Sequence, residues 1–460
     1  MRKLLHFVAI TVSAVVPLLL STYIFLKLIT LISAILVVIS VSSGTLDSIR
    51  KDDDKSWGIL YFALFYTVSV FILPPGFFPY LAVGLLILAV SDSLAALSGS
   101  STKKMKYILT VEKSYLGSFI FFVSSFIISW LFPVYFSELF GLESFDQSYL
   151  LIFAFVVSVL LTLIEALSTK GIDNLLIPLF GTILSVIFLG AQNDELLQMF
   201  VPGLFLAGVI AFISYKVSFL TANGSISTFI LAGLIFGLGG WKWSLPIMTF
   251  FVLSSLLSKV RKKKNAVVES YFEKTGTRDF GQVFANGGVG GVLVIVNALF
   301  PNDIWYFAYI ASLAAVTADT WATETGTLKK NKTYNILNFK PLPQGMSGGI
   351  SVAGTTGGII GAIIVTASGF YWFENSVWLV SSLLVIAGVF GSFVDSYLGA
   401  TLQVQYNCKV CGKITENKYH CGANSDIFRG NKAVNNDLVN LIAGVFGSLF
   451  FILIWGLIQL

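Results

Sequence analysis

Residues 150–167 read LLIFAFVVSVLLTLIEAL, from Leu150 to Leu167, with a single charged side chain, Glu165, near the end. In lipid such a stretch can satisfy its backbone only as a helix, and its length suits a hydrocarbon core of about 30 Å. Runs of the same kind extend from Leu4 to Ser43 and from Leu438 to Leu460. Over the 460 residues, 56% are hydrophobic and 12% charged, far from the composition of a chain whose surface faces water. The short alternating segments of an outer-membrane barrel are absent. The expected fold class is therefore all-α, a polytopic transmembrane helical bundle. Met1-Arg2-Lys3 ahead of an apolar run has the look of a signal peptide. No small-residue cleavage site precedes a soluble domain, so the run reads as the first span.

Punctuation by Gly, Pro and charge places fifteen spans, near 4–23, 28–46, 57–73, 78–97, 115–133, 149–168, 174–190, 198–219, 225–240, 243–259, 281–300, 304–325, 349–370, 376–402 and 434–457. With the N-terminus inside, only Lys27 and Lys242 of the 29 Lys and Arg residues fall away from cytosolic loops. The net charge of +5 then reports topology and contact with anionic lipid, and no nucleic-acid partner is expected. Three cysteines, all in the last cytosolic loop, form no disulfide framework on the reducing side.

A polar, Gly-containing stretch from Lys216 to Ser227 divides the chain into expected halves 1–220 and 225–460, and each half carries the same acidic pattern. Asp92, Ala95 and Gly99 are followed by Lys113-Ser114 and Gly117-Ser118; Asp319, Ala322 and Gly326 are followed by Ser351 and Gly354-Thr355. On a helix each Asp shares a face with its Ala and Gly, which lets a neighbouring helix approach the carboxylate closely. A third stripe holds Gly388, Gly391, Ser392, Asp395 and Gly399. Inserting such an Asp costs at least about 2.5 kcal/mol, so it should face protein, water or a metal. Alternatively, each is a structural carboxylate paired with a Lys or Asn.

Other polar residues fall at the same depth: Glu112-Lys113-Ser114, Glu165 with Lys170, Asp173, Asn174 and Pro178, and Arg278 ahead of Gln282 and Asn286. Arg278 suits bidentate phosphate binding, while Lys113 and Lys340 offer point charges or snorkel to the headgroups. The stretch from Ser347, Gly348 and Gly349 to Gly354 is expected to open a helix, either to receive phosphate on free N–H groups or to pack against a neighbour. No G-x-x-x-x-G-K-[ST] occurs. Cys408, Cys411, His420 and Cys421 suit structural zinc as a ligand set, although the adjacency of His420 and Cys421 is awkward, and plain reduced thiols are the alternative. Asp437, after Asn435-Asn436, is a further polar candidate.

Two family resemblances rest on these residues. Residues 60–215 resemble the CTP-dependent dolichol and phytol kinases through Asp92, Ala95, Gly99, Lys113-Ser114, Gly117-Ser118, Glu165, Asp173-Asn174 and Pro178, but Ser91 stands where those kinases usually carry Gly. Residues 225–457 resemble the integral membrane family that contains plant phytyl-phosphate kinase, through Arg278 to Gly288, Ala318 to Glu324, Ser347 to Ser351, Gly391-Ser392, Asp395-Ser396, Leu398 to Ala400, the Cys₃His loop and Asn436-Asp437. The resemblances imply a fusion that converts an isoprenoid alcohol, such as phytol or geranylgeraniol, to its monophosphate and then its diphosphate, with CTP as donor. Since such phosphoryl transfer needs positioning and charge neutralisation, Mg²⁺ is expected on Asp319 and Asp395 with help from Glu324, and phosphates on Arg278 and the Ser347–Gly354 turn. Asp92, Glu112 and Lys113 would serve the first half, and Ser114, Gly117, Gln282, Asn286 and Asp437 would line the nucleotide and substrate sites. Cytidylyl transfer to a lipid phosphate is the enzymatic rival. A transporter is the other, although its sites would lie nearer the midplane.

Overall fold

The computed structural model describes residues 2–20, 22–43, 57–101, 105–141, 144–190, 194–265, 277–373 and 377–459. Residue 21 of the first expected span, 44–46 of the second and 376 of the fourteenth lie outside them. The chain separates into two compact units, Met1–Val201 and Pro202–Leu460. The division falls earlier than the polar stretch 216–227, inside a continuous helix, because that stretch merely turns the chain between two helices of the second unit.

The first unit runs α1 (Arg2–Leu19), α2 (Tyr23–Ser42), α3 (Gly58–Ile72), α4 (Phe78–Leu86), α5 (Ser93–Ser101), the strands β1 (Lys106–Ile108) and β2 (Glu112–Ser114), α6 (Tyr115–Tyr135), α7 (Gln147–Leu167) and α8 (Asp173–Ser185). A π-helical segment, Ile87–Asp92, joins α4 to α5. Helix α9 (Asp194–Lys216) crosses the division. Within the unit, α4 packs on α8, α6 on both α5 and α7, and β1 and β2 form an antiparallel hairpin.

The second unit continues with α10 (Ala222–Lys264), α11 (Phe280–Leu299), α12 (Asp303–Gly326), the sheet β3 (Thr333–Asn335), β4 (Pro341–Leu342) and β5 (Gly349–Ile350), then α13 (Val352–Gly369) and α14 (Val377–Thr401). After α14 come β6 (Gln405–Asn407), β7 (Ile414–Thr415), β8 (Tyr419–His420), β9 (Ala423–Asn424) and β10 (Asp426–Arg429), and finally α15 (Asn436–Gln459). Helix α12 is the axis: every residue from Ala308 to Ala318 is buried, and α10, α11, α13, α14 and α15 all pack on it. Gly240 splits α10 with φ 58° and ψ −153°, a conformation essentially restricted to glycine.

The protein is thus an all-α polytopic membrane protein. Among the described residues, eleven helices are long and apolar enough to cross a bilayer, α10 counting once despite its break. Most of the fifteen expected segments fall on one helix or on one leg of α10, but 78–97 runs through α4, the π-helical segment and α5, and 174–190 continues from α8 into a second π-helical segment, Val186–Gly190. Helices α1 and α3 have shorter apolar cores, and α12, enclosed by its neighbours, is not among the eleven. Side-chain caps fix many starts: Asp146 for α7, Thr221 for α10, Asp279 for α11, Asn302 for α12 and Ser351 for α13.

Candidate active site

In the second unit, residues of α10 to α15 and of the β3–β5 and β6–β10 segments surround a cavity of about 480 Å³. Asp319 reaches it from α12 and Asp395 from α14, and the two carboxyl groups lie within hydrogen-bonding reach of each other. Carboxylates so close repel unless a proton or a cation lies between them. Asp395 Oδ2 is enclosed with no hydrogen-bond partner among the described residues, so the pair presents oxygen ligands to a hard divalent ion. Asn436 and Asp437, at the start of α15, line the same cavity.

Sequence reading missed Glu416. It lies between β7 and β8, close enough for its charge to act on both aspartates. Its Oε1 accepts hydrogen bonds from Ser347 Oγ at 2.6 Å and Gln403 Nε2 at 2.9 Å. Only the loop's return over the cavity gives it meaning, and no local periodicity signals that.

Arg278 also lines the cavity. Its backbone is clipped to 219–221, its N–H donating to Phe219 O at 2.9 Å and its C=O accepting from Thr221 N at 3.0 Å. The guanidinium lies 5.3 Å from the Phe250 ring and 5.6 Å from the Phe251 ring. Burial pulls its pKa down to about 10, with Glu324 opposing, so it stays a cation at neutral pH. Glu324 also lines the cavity, but its oxygens are engaged: Ser258 Oγ donates to Oε1 at 2.6 Å, and Arg261 Nε donates to Oε2 at 2.5 Å. It anchors Arg261 before it can serve a metal. Gln282 is likewise committed in part, forming a capping box with Asp279, while Gln282 and Asn286 both face the cavity.

The helix expected to open at Ser347 opens at Val352 instead, with Ser351 as its cap. Gly345 and Gly348 take φ of 87° and 81°, so 345–348 is a turn, and Gly349 belongs to β5. Ser347, Gly348 and Gly349 all line the cavity from that turn, and Gly348 lies against Ala400 at the end of α14. The packing alternative holds for Gly354: a Cβ there would meet Ala322 O at 2.8 Å.

The first unit gathers its own cluster. Lys113 Nζ bonds Glu165 Oε1 at 2.5 Å. Burial pulls the Lys113 pKa down, but Glu165, with Asp173 and Asp92 nearby, outweighs it and holds the ammonium above its ordinary value. Glu112 does not join them; as the neighbouring strand residue it points outward and pairs with Lys106. Asp92 ends the π-helical segment, a distortion often found at functional sites and without a sequence signal here.

The internal echo is a shared geometry. Ser114 caps α6 by accepting from Gly117 N at 3.0 Å, and Ser351 caps α13 by accepting from Gly354 N at 3.1 Å. A Cβ on Gly117 would meet Ala95 O at 3.0 Å, as one on Gly354 would meet Ala322 O; Gly99 and Gly326 approach the same serines. In chain order each unit then supplies a carboxylate toward the end of the next long helix, Glu165 or Asp395, and an adjoining Asp and Asn at the start of the one after, Asp173-Asn174 or Asn436-Asp437. The units differ in their cation: Lys113 sits among the acids of the first, whereas Asp319 and Asp395 face each other.

Away from the cavity, one ligand atom from each of Cys408, Cys411, His420 and Cys421 lies within 4.8 Å of the others. The adjacency of His420 and Cys421 is accommodated by φ of +50° at Cys421 and +78° at Gly422, which fold the backbone back at the second residue. Lys340, by contrast, is exposed, its backbone N–H bonded to Asn338.

Residues 205–448 match the family described as integral membrane protein DUF92. Protein PGR of Arabidopsis thaliana is 32% identical over 239 residues, covering 45% of this chain and 81% of its own. Protein VTE6, chloroplastic, from the same plant is 24% identical over 239 residues, 51% of this chain and 65% of its own. A phytol kinase from Synechocystis sp. is 30% identical over 156 residues, 33% of this chain and 62% of its own. No solved structure matches the chain significantly. The match spans the whole of the Asp319–Asp395 cavity and its covering loop, and on it the chain belongs to the DUF92 integral membrane protein family.

Proposed function

We propose that the chain is a membrane-embedded kinase of isoprenoid lipids, the second unit phosphorylating an isoprenyl monophosphate and the first an isoprenoid alcohol, with CTP as donor. The observation that carries this reading is the facing pair Asp319 and Asp395 beside the cationic Arg278 in one polar cavity. The relative named phytol kinase supports the substrate class. The cavity falls within the roughly 300–1,000 Å³ usual for small-molecule sites.

Phosphoryl transfer needs positioning and charge neutralisation more than covalent help. The donor set fits Mg²⁺: two carboxyl groups in contact and an enclosed Asp395 oxygen. When bound, the ion neutralises charge on the phosphate oxygens. Asp319 and Asp395 would hold it. Arg278 presents a planar cation, braced by two rings, to the phosphates, and Arg261, anchored by Glu324, extends the positive wall. Gln282 and Asn286 offer amides to the nucleotide or acceptor phosphate. In the first unit Asp92, Glu165 and Asp173 surround Lys113, whose ammonium would meet the phosphate of the entering nucleotide. On the distribution of Lys and Arg, the loops that carry both sites would face the cytosol, where the nucleotide is.

Purified protein in lipid, with Mg²⁺ and CTP labelled at either the α or the γ phosphate, tests this on a panel of isoprenoid alcohols and monophosphates. The γ label is expected in the lipid product. Transfer of the α label would establish cytidylyl transfer instead, and nucleotide-free flux into sealed vesicles would favour a transporter.

A further inference from the structure

We propose that Cys408, Cys411, His420 and Cys421 bind one zinc ion, and that this ion clamps the loop carrying Glu416 so that its carboxylate joins Asp319 and Asp395. The zinc half stands alone; the Glu416 half rests on the metal-binding cavity proposed above.

The ligand geometry is the first argument. In a tetrahedral site with Zn–S of about 2.3 Å, neighbouring ligand atoms lie ~3.5–3.8 Å apart. Cys411 Sγ lies 3.6 Å from His420 Nδ1, and Cys421 Sγ lies 3.2 Å from it. The whole set, within 4.8 Å, closes on an ion with small side-chain shifts.

The second argument is the loop itself. Between Cys408 and Cys421 its regular structure is two-residue strands, too little to hold a fixed shape through apolar burial. Yet the backbone keeps the positive φ of +67° at Gly412 and +50° at Cys421. A non-glycine residue in that region needs a compensating contact. Both bends sit beside the cysteines, where a metal bond supplies it.

The third is connectivity. Glu416 lies between the pair Cys411 and His420, so a bond from each to one ion closes a short ring around it. The other side of the loop is fixed at its base, where Arg429 donates to Ala400 O at 2.7 Å and to Gln405 Oε1 at 2.9 Å. Held at base and tip, the loop keeps Glu416 on Ser347 and Gln403, over the aspartate pair. Three carboxylates suit a divalent cation better than two.

The test uses the full-length protein in nanodiscs after zinc-supplemented expression. Elemental analysis is expected to find about one zinc per chain, falling to background in Cys408→Ser and in Cys411→Ser. Wild-type protein without zinc, even after incubation with zinc chloride, overturns the site. Mn²⁺ binding by electron paramagnetic resonance then reads the coupling without any activity assay. Stripping the zinc, and removing the chelator, should weaken Mn²⁺ binding about 10–100-fold. Zinc-loaded Glu416→Gln should weaken alike, and stripping that variant should add nothing. Unchanged Mn²⁺ affinity after stripping overturns the coupling. Zinc-loaded wild type that binds no Mn²⁺ removes both the cavity reading and the Glu416 half, while the zinc count still decides the zinc half.

Discussion

Replacing Glu324 by Ala should injure the fold far more than the chemistry. Arg261 and Glu324 are 5% and 7% exposed, and their 2.5 Å contact joins α10 to α12, the axis of the second unit. Removing Glu324 takes its carboxylate partner on α12 from the buried Arg261, at a cost of about 3–5 kcal/mol. At roughly 2–4 °C per kcal/mol for a domain of this size, the apparent Tm should fall by about 6–20 °C. The assay is thermal unfolding in detergent followed by circular dichroism at one fixed scan rate, since membrane proteins often unfold irreversibly. The double variant Arg261→Met with Glu324→Leu removes both charges and should recover most of the loss. A Tm left in place by Glu324→Ala, together with a collapse of Mn²⁺ affinity, would refute the anchoring role and make Glu324 a metal ligand.

Gly354→Val puts a branched side chain where even a Cβ meets Ala322 O at 2.8 Å and Ser351 Oγ at 2.9 Å; a loss of about 1–3 kcal/mol is expected, read as a lower Tm. Gly117→Val should do the same in the first unit, where the matching distances are 3.0 Å to Ala95 O and 2.9 Å to Ser114 Oγ. Because folded Lys113 holds its proton to higher pH than an unfolded lysine, its contribution is complete below the unfolded value of about 10.4 and is lost as pH rises through the folded one. Wild-type stability should therefore decline over that alkaline range, and Lys113→Met should be weaker at neutral pH with a shallower decline. Asp319→Asn should stop diphosphate formation while the monophosphate accumulates, as product chromatography would show; full diphosphate yield contradicts the assignment.

The helices were legible because the bilayer imposes its own pattern: an apolar run, a Gly, Pro or charge, another run. Even the break at Gly240 announces itself in Gly239-Gly240 followed by Lys242. The echo was legible because close helix approach demands small residues at fixed spacing, as at Gly117 and Gly354. Tertiary partners were not. Arg261 and Glu324 lie 63 residues apart. Glu416 sits in a loop marked by its cysteines, but nothing local marks Glu416 itself until the loop returns over Ser347. Glu112 and Lys113 looked equivalent as neighbours, and only the strand geometry separates the outward residue from the inward one.

If Asp319 and Asp395 together hold a cation that carries the nucleotide, titration of Mn²⁺–CTP into the purified protein, followed by electron paramagnetic resonance, reads their joint role directly. Asp319→Asn and Asp395→Asn should each weaken binding about ten-fold or more, and the double variant should lose little beyond the worse single one, because the two ligate as a unit. Wild-type affinity in either single variant would contradict the account.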